Sequence, residues 1–481
     1  MALVFVFFPI LMAALALAIP SNRARPWILP IAATTHTGMT VFILARPDLQ
    51  RFSPWLVLDP LGRIILLVVS ALFLFCSVYA AGYLKYRQER SNRLFCACLL
   101  AFLGLMGLVA WSHHLGLLWV AIEATTLVTA PLIYFNRTAR SIEATWKYLL
   151  VGSVGIALAL LGTFFLAYSS MGEGRQPSLL LEELLSGAPA LSKGWLRAAF
   201  ILLLVGYGTK MGLAPMHTWK PDAYGESPGL IGAIFAGGVT SCAFLAFLRV
   251  YQICAASGEG VFASRLLLFM GLFSMAVAGL FMAGQRDFKR MLAYSSVEHM
   301  GILMLGLGIG EPALYGTILH VATSAATKGL LFLSAGNIHR AYASKSTDQV
   351  GGAIRRLPIS GSLFLAGFLA ITGSPPFGPF ISEFAILNGA FAAGRFLVAG
   401  LFLAFLLVVF IGMGRTVLKV TLGRSPAAVP SPAEDSGYRD GFLTAAPIVA
   451  LMALVLLLGL YIPAPLGGLI SDAAKYLGAP I

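Results

Sequence analysis

Residues 201–217 read Ile-Leu-Leu-Leu-Val-Gly-Tyr-Gly-Thr-Lys-Met-Gly-Leu-Ala-Pro-Met-His, an apolar run that carries Lys210 and ends near Pro215. A protonated lysine in hydrocarbon costs at least about 2.5–3.5 kcal/mol, so it needs a partner or a water path, and such residues mark ion or proton routes. Proline lacks a backbone donor and clashes with the preceding turn, so a helix carrying Lys210 should stop here. The segment predicts an interrupted membrane helix with a proton carrier beside the break.

The rest of the chain fits a membrane solvent. Of its 481 residues, 58% are hydrophobic and 11% charged, with mean hydropathy +0.86; soluble domains carry roughly a quarter charged residues. The formal charge of +13 does not indicate nucleic acid, because the basic residues are scattered through short loops between apolar runs. The cysteines, including Cys76, Cys96, Cys98 and Cys242 within apolar segments, show no ligand or disulfide spacing and read as small hydrophobes. Neither a metal nor a cofactor is expected on this chain. Residues 2–19 lack a basic leader and run into a second apolar segment, which predicts a first membrane helix in place of a cleaved signal.

Apolar stretches at 2–19, 27–45, 61–82, 94–112, 115–135, 146–168, 197–214, 228–251, 262–283, 290–309, 312–335, 359–393, 396–419 and 443–461 predict an all-α polytopic membrane protein with about 14 transmembrane helices. The twelfth is cut by Pro375-Pro376-Phe377-Gly378-Pro379, which predicts two half-helices. Roughly two-thirds of the 33 lysines and arginines, Lys220 among them, fall in loops after odd-numbered spans. Those loops are expected in the cytoplasm and both termini outside. Spans 7 and 12 are both broken and both carry an ionisable residue at the break. Being five spans apart, they predict two inverted five-helix repeats, 94–251 (helices 4–8) and 262–419 (helices 9–13). Helices 1–3 (1–93) precede them, and helix 14 with its tail (443–481) follows.

The buried ionisable residues form the candidate site. Glu123 lies between apolar neighbours, with Lys210 as its expected counter-ion; a purely structural salt bridge is the alternative. Lys328 is embedded in Ala-Ala-Thr-Lys-Gly-Leu-Leu, and His320, eight residues earlier, falls on the same helix face. His299 has the chemistry of a proton shuttle or of a hydrogen-bonded core residue. Glu383 follows a break that is expected to admit water. His217 and Asp222, past the first break, are candidates for shaping the loop or exchanging protons with the surface. His113 and His114 flank a short loop and read as interface markers.

Longer motifs now carry a resemblance. The run from Lys210 through Pro215, Trp219 and Asp222 to Gly229 resembles the signature of the antiporter-like proton-translocating subunits of respiratory complex I and its relatives. The run from Asp287 to Gly301, Lys328-Gly-Leu-Leu-Phe-Leu, and Gly373–Gly378 with Glu383 are similar to three further signatures. Val297-Glu298-His299-Met300-Gly301 and Glu226-Ser-Pro-Gly229 look most like the F component of hydrogenase-4, from membrane-bound nickel–iron hydrogenases of the formate hydrogenlyase type. The resemblance implies Glu123 with Lys210 as a first half-channel pair, Lys328 as central relay and Glu383 as exit group. Two positions depart from it: Ser241 and Ser324 stand where many relatives have a lysine and a histidine. Relay between Lys210 and Lys328 would then rely on water with His299 or His320.

The resemblance also implies a bacterial cytoplasmic membrane. Its expected partners are other membrane subunits and soluble iron–sulfur and nickel–iron subunits that hold the redox chemistry. Complex I proper, a multisubunit sodium/proton antiporter and a bicarbonate-uptake complex are the alternative assemblies.

Overall fold

A computed structural model describes residues 1–171, 177–424 and 438–478; residues 479–481, the end of the predicted tail, lie outside it. The described chain is predominantly helical, with one small two-stranded antiparallel ribbon, β1 (Arg51–Ser53) and β2 (Leu56–Val57). The N-terminal helices are α1 (Ala2–Ala18), α2 (Ile28–Leu44) and α3 (Pro60–Lys85). Next come α4 (Arg93–Trp111), α5 (Leu115–Ile133), α6 (Ala139–Ser169), the short α7 (Leu181–Ser186) and α8 (Lys193–Met211). After the first break follow α9 (Trp219–Glu226) and α10 (Gly229–Ile234), which passes through a π-helical turn at Phe235–Val239 into α11 (Thr240–Cys254). Then come α12 (Gly260–Ala283), α13 (Phe288–Ile309), α14 (Glu311–Tyr342), the single turn α15 (Ala353–Arg356) and α16 (Pro358–Ile371). The chain closes with α17 (Gly378–Ala392), α18 (Phe396–Leu422), α19 (Phe442–Leu460) and α20 (Ala464–Gly478).

Ten helical stretches among the described residues are long and apolar enough to cross a membrane, and Ala2–Ala18 and Pro358–Ile371 are shorter apolar helices. The protein is a polytopic membrane protein. Local sequence sets the helix ends. Asp59 caps α3, its Oδ1 accepting from the Gly62 amide at 2.6 Å with Pro60 at the first position. Thr138 and Ser141 form a reciprocal cap on α6. Asp287 caps α13 by accepting from the Lys289 and Arg290 amides at 2.9 and 3.1 Å.

Burial is uneven. Helices α13 and α14 are almost wholly enclosed, whereas α18 shows most of its surface. Helix α14 packs against α13, α16, α17, α19 and α10. With no polar face turned to solvent, it places His320 and Lys328 inside the bundle, at 0% and 2% exposure. All five cysteines are buried free thiols.

Both predicted discontinuities are visible. Helix α8 ends at Met211, Gly212 takes a left-handed φ of 76°, and the helix resumes as α9 at Trp219. Helix α16 ends at Ile371, Gly373 takes a φ of 69°, and α17 starts at Gly378. Beyond the last predicted span, the tail folds as α20, which packs on α3 and α14; the Gln252 amide of α11 donates to the Tyr476 carbonyl at 3.0 Å.

A candidate proton-translocation site

At the end of α8, Lys210 is 1% exposed. Its ammonium donates to the Thr126 hydroxyl at 2.6 Å and the Tyr148 hydroxyl at 3.0 Å, and it lies 5.0 Å from the Tyr148 ring centre. Thr126 in turn donates to Glu123 Oε2 at 3.2 Å. Thr126 stands one helical turn from Glu123 on α5, so both side chains reach the same face. The direct pair expected between Glu123 and Lys210 is thus a chain of three groups, carboxylate, hydroxyl and ammonium. Glu123 itself is half-buried and faces the outer side of α5 and α6, where Ser153 lies 3.5 Å from its other oxygen.

The break after α8 explains a residue that sequence misassigns. From sequence, Lys220 counts among the loop charges, yet it is 0% exposed. Its ammonium donates to the Met211 carbonyl at 2.6 Å and the Ser296 carbonyl at 3.3 Å. The Trp219 indole similarly donates to the Thr209 carbonyl at 2.9 Å. The last carbonyls of a helix have no partner within it, and its C-terminus attracts cations. Helix α9 supplies a donor and a cation to that end. Lys220 thereby joins the first break to α13, three residues before His299, and lies close enough to act electrostatically on His299 and Lys328. Lys289 is likewise buried, donating to the Gly225 and Ser227 carbonyls. Ser241, at the position of the missing lysine, donates to the Gly237 carbonyl at 2.6 Å.

The second half gathers on α13, α14 and α17. His299 Nδ1 lies 2.9 Å from His320 Nε2, with the rings 5.0 Å apart and 29° from parallel. His320 Nδ1 is 2.9 Å from Ser382 Oγ, which also contacts Thr323 Oγ1 at 3.1 Å and donates to the Pro379 carbonyl at 2.9 Å. Glu383, 4% exposed, rests its carboxylate against the backbone of Gly373; a side chain at 373 would collide with it. Glu298 belongs to this group, although its sequence context marked it only as a family discriminator. It is 0% exposed, sits 4.0 Å from His299 Nε2, and neither of its oxygens has a hydrogen-bond partner among the described residues.

The remaining candidates are at the rim. Asp222 is held by Arg290 at 2.6 Å and Lys147 at 2.9 Å, an ion cluster that fixes α9 against α6 and α13. His217 is buried, its ring centre 5.9 Å from that of Tyr294. His113 is more than an interface marker. It and Arg249 lie 3.3 and 3.0 Å from Asp59 Oδ2, and Arg249 also donates to the Val109, Ala110 and Ser112 carbonyls at the end of α4. Burial pushes the Asp59 carboxyl upward, but Arg249 and His113 outweigh it and hold the group below its ordinary range.

Residues 112–410 match the family model described as NADH:quinone oxidoreductase/Mrp antiporter, TM. The chain is 33% identical to a hydrogenase-4 component F homologue of Methylacidiphilum infernorum, over 95% of this chain and 96% of that one. It is 34% identical to NADH-quinone oxidoreductase subunit N of Desulforudis audaxviator, over 74% of this chain and 70% of that one. A chain in the Mrp complex structure from Dietzia sp. DQ12-45-1b superposes with a TM-score of 0.87 at 21% identity, covering 100% of this chain and 97% of that one, a shared fold.

Proposed function

The chain belongs to the NADH:quinone oxidoreductase/Mrp antiporter transmembrane family, as an antiporter-like membrane subunit of complex I, hydrogenase and Mrp-type complexes, and from that premise we propose that it translocates protons in a membrane-bound nickel–iron hydrogenase complex. The observation that carries this reading is the hydrogen-bonded chain from half-buried Glu123 through Thr126 to buried Lys210 at the broken end of α8. The route runs from Glu123 to Lys210, then through Lys220 to the histidine pair, Lys328 and Glu298, and leaves at Glu383. A redox-linked movement in a neighbouring subunit disturbs Glu123; the ammonium of Lys210 loses its counter-charge and passes its proton inward. Lys220 occupies the interval that Ser241 and Ser324 leave without titratable groups.

The same reading places fourteen crossings in a bacterial cytoplasmic membrane, as two inverted five-helix repeats, with the lysine- and arginine-rich loops inside and both termini outside. Soluble iron–sulfur and nickel–iron subunits hold the redox chemistry, and this chain binds no redox cofactor. The test is purification of the intact complex with mass spectrometry of its subunits, paired with redox-driven proton uptake in vesicles. Hydrogenase subunits and uptake abolished by Lys210→Ala, with the variant assembled, are the expected result. An NADH-binding module would move the chain to complex I. Sodium-dependent exchange without any redox partner would overturn redox coupling.

A further inference from the structure

We propose that His299, His320 and Glu383, which carry protons in the route proposed above, also bind a divalent transition-metal ion in competition with those protons, zinc above others, inside the second half of the bundle. One ligand atom from each residue lies within 4.8 Å of the other two, and all three residues are buried. Zinc holds imidazole nitrogen and carboxylate oxygen at roughly 2.0–2.2 Å, which in a tetrahedron sets ligand atoms about 3.3 Å apart. His299 Nδ1 and His320 Nε2, at 2.9 Å, are already near that spacing. Only the Glu383 carboxylate has to close, by up to about 1.5 Å from the 4.8 Å limit.

Hydrogen bonding prepares the nitrogens. Ser382 gives its one hydroxyl proton to the Pro379 carbonyl, so it accepts from His320 Nδ1–H and leaves His320 Nε2 with a free lone pair turned toward His299. This is the outer hydrogen bond that orients a metal-binding imidazole. With that tautomer of His320, the proton between the rings belongs to His299 Nδ1. On metal binding it transfers to His299 Nε2, which faces Glu298 Oε2 at 4.0 Å. The imidazole pair then supplies two neutral ligands and Glu383 one anionic ligand, leaving a fourth position for water.

A second observation points the same way. Glu383 Oε1 and both Glu298 oxygens are buried without a hydrogen-bond partner among the described residues. A buried group in that condition requires an account, and for Glu383 Oε1, which belongs to a proposed ligand, an ion at the site supplies one. Two carboxylates beside a divalent cation offset the nearby Lys328, which lies close enough to interact with Glu298, His299 and His320. Two imidazoles and one carboxylate select a borderline metal over sodium, magnesium or calcium, which favour all-oxygen sites.

The test uses the full chain in lipid nanodiscs, stripped with a chelator and titrated with zinc chloride, with X-ray absorption at the zinc edge. One zinc per chain, with nitrogen and oxygen neighbours, is expected. Affinity should fall at least tenfold in His320→Gln and in Glu383→Gln and stay unchanged in His36→Gln, a buried histidine of α2 outside the cluster. Absence of stoichiometric binding by the unmodified chain overturns the proposal. So does sulfur in the first coordination shell, which would mean cysteine ligation, or undiminished affinity in both cluster variants.

Discussion

The side chain of Lys220 lies across Gly212: a β-carbon at 212 would stand 2.5 Å from Lys220 Cδ and 3.0 Å from its ammonium. Glycine therefore does two things at the end of α8. It adopts a φ of 76°, and it leaves the gap through which a lysine from α9 reaches the open carbonyls.

Gly212→Ala should cost about 1–2 kcal/mol from backbone conformation alone, with the displaced lysine adding to it. Lys220→Met removes the charge and keeps the length. Redox-driven proton uptake in vesicles should drop at least tenfold in both, with normal assembly in Lys220→Met. Wild-type uptake in an assembled Lys220→Met complex would remove Lys220 from the route.

Thr126 is the only group seen joining Glu123 to Lys210 by hydrogen bonds among the described residues. Thr126→Val keeps the shape and removes the hydroxyl, and should depress initial pumping rates nearly as far as Glu123→Gln; Thr126→Ser should pump normally. Glu123→Gln combined with Lys210→Met should lose little more than either change alone, because residues in one network act non-additively. Additive losses at matched protein levels would mean independent action.

Asp59 and Arg249 tie the start of α3 to the ends of α4 and α11. Arg249→Met leaves a buried carboxylate with one fewer partner and should destabilise the protein by about 3–5 kcal/mol, read as a lower unfolding temperature in detergent. Adding Asp59→Asn should recover part of it. Because Asp59 is held below its ordinary value, near 4, its contribution is complete at neutral pH and is lost as acid protonates it.

Orientation is checked by labelling. Cysteines placed beside Arg90 and Arg355 should be shielded from an impermeant thiol reagent in intact cells, and one beside Gly187 should react. Reversed labelling would invert the proposed topology.

Features that depend on neighbours in sequence were legible. The apolar runs, the prolines at 215 and 375–379, and lysines isolated in hydrocarbon each carry their meaning within a few residues. What depends on the path of the chain after a break was not. Lys220 sits beside Pro221 and Asp222, a loop signature by composition, and only the return of α9 beneath α8 buries it. Glu298 stands out in sequence only as part of a family signature, and its burial follows from the packing of α14 and α17 on α13. Thr126 gives no signal in sequence, because a hydroxyl in an apolar helix carries no charge to announce itself. The meeting of His299, His320 and Glu383 draws on three separate helices, a coincidence that spacing along the chain does not encode.

The helices that hold the second half of the route, α13 and α14, are the least apolar of the ten membrane-crossing candidates and the most enclosed, while α18 is the most apolar and the most open. During synthesis each segment meets lipid before its partners are in place. For α14, with a lysine and a histidine at its centre, release into bilayer alone is unfavourable. Its retention at the insertion machinery until α16, α17 and α19 emerge would make biogenesis of this half a concerted event. The C-terminal third of the chain then acts as escort, and truncation after Tyr342 should yield a protein that is degraded even though every residue before the cut is intact.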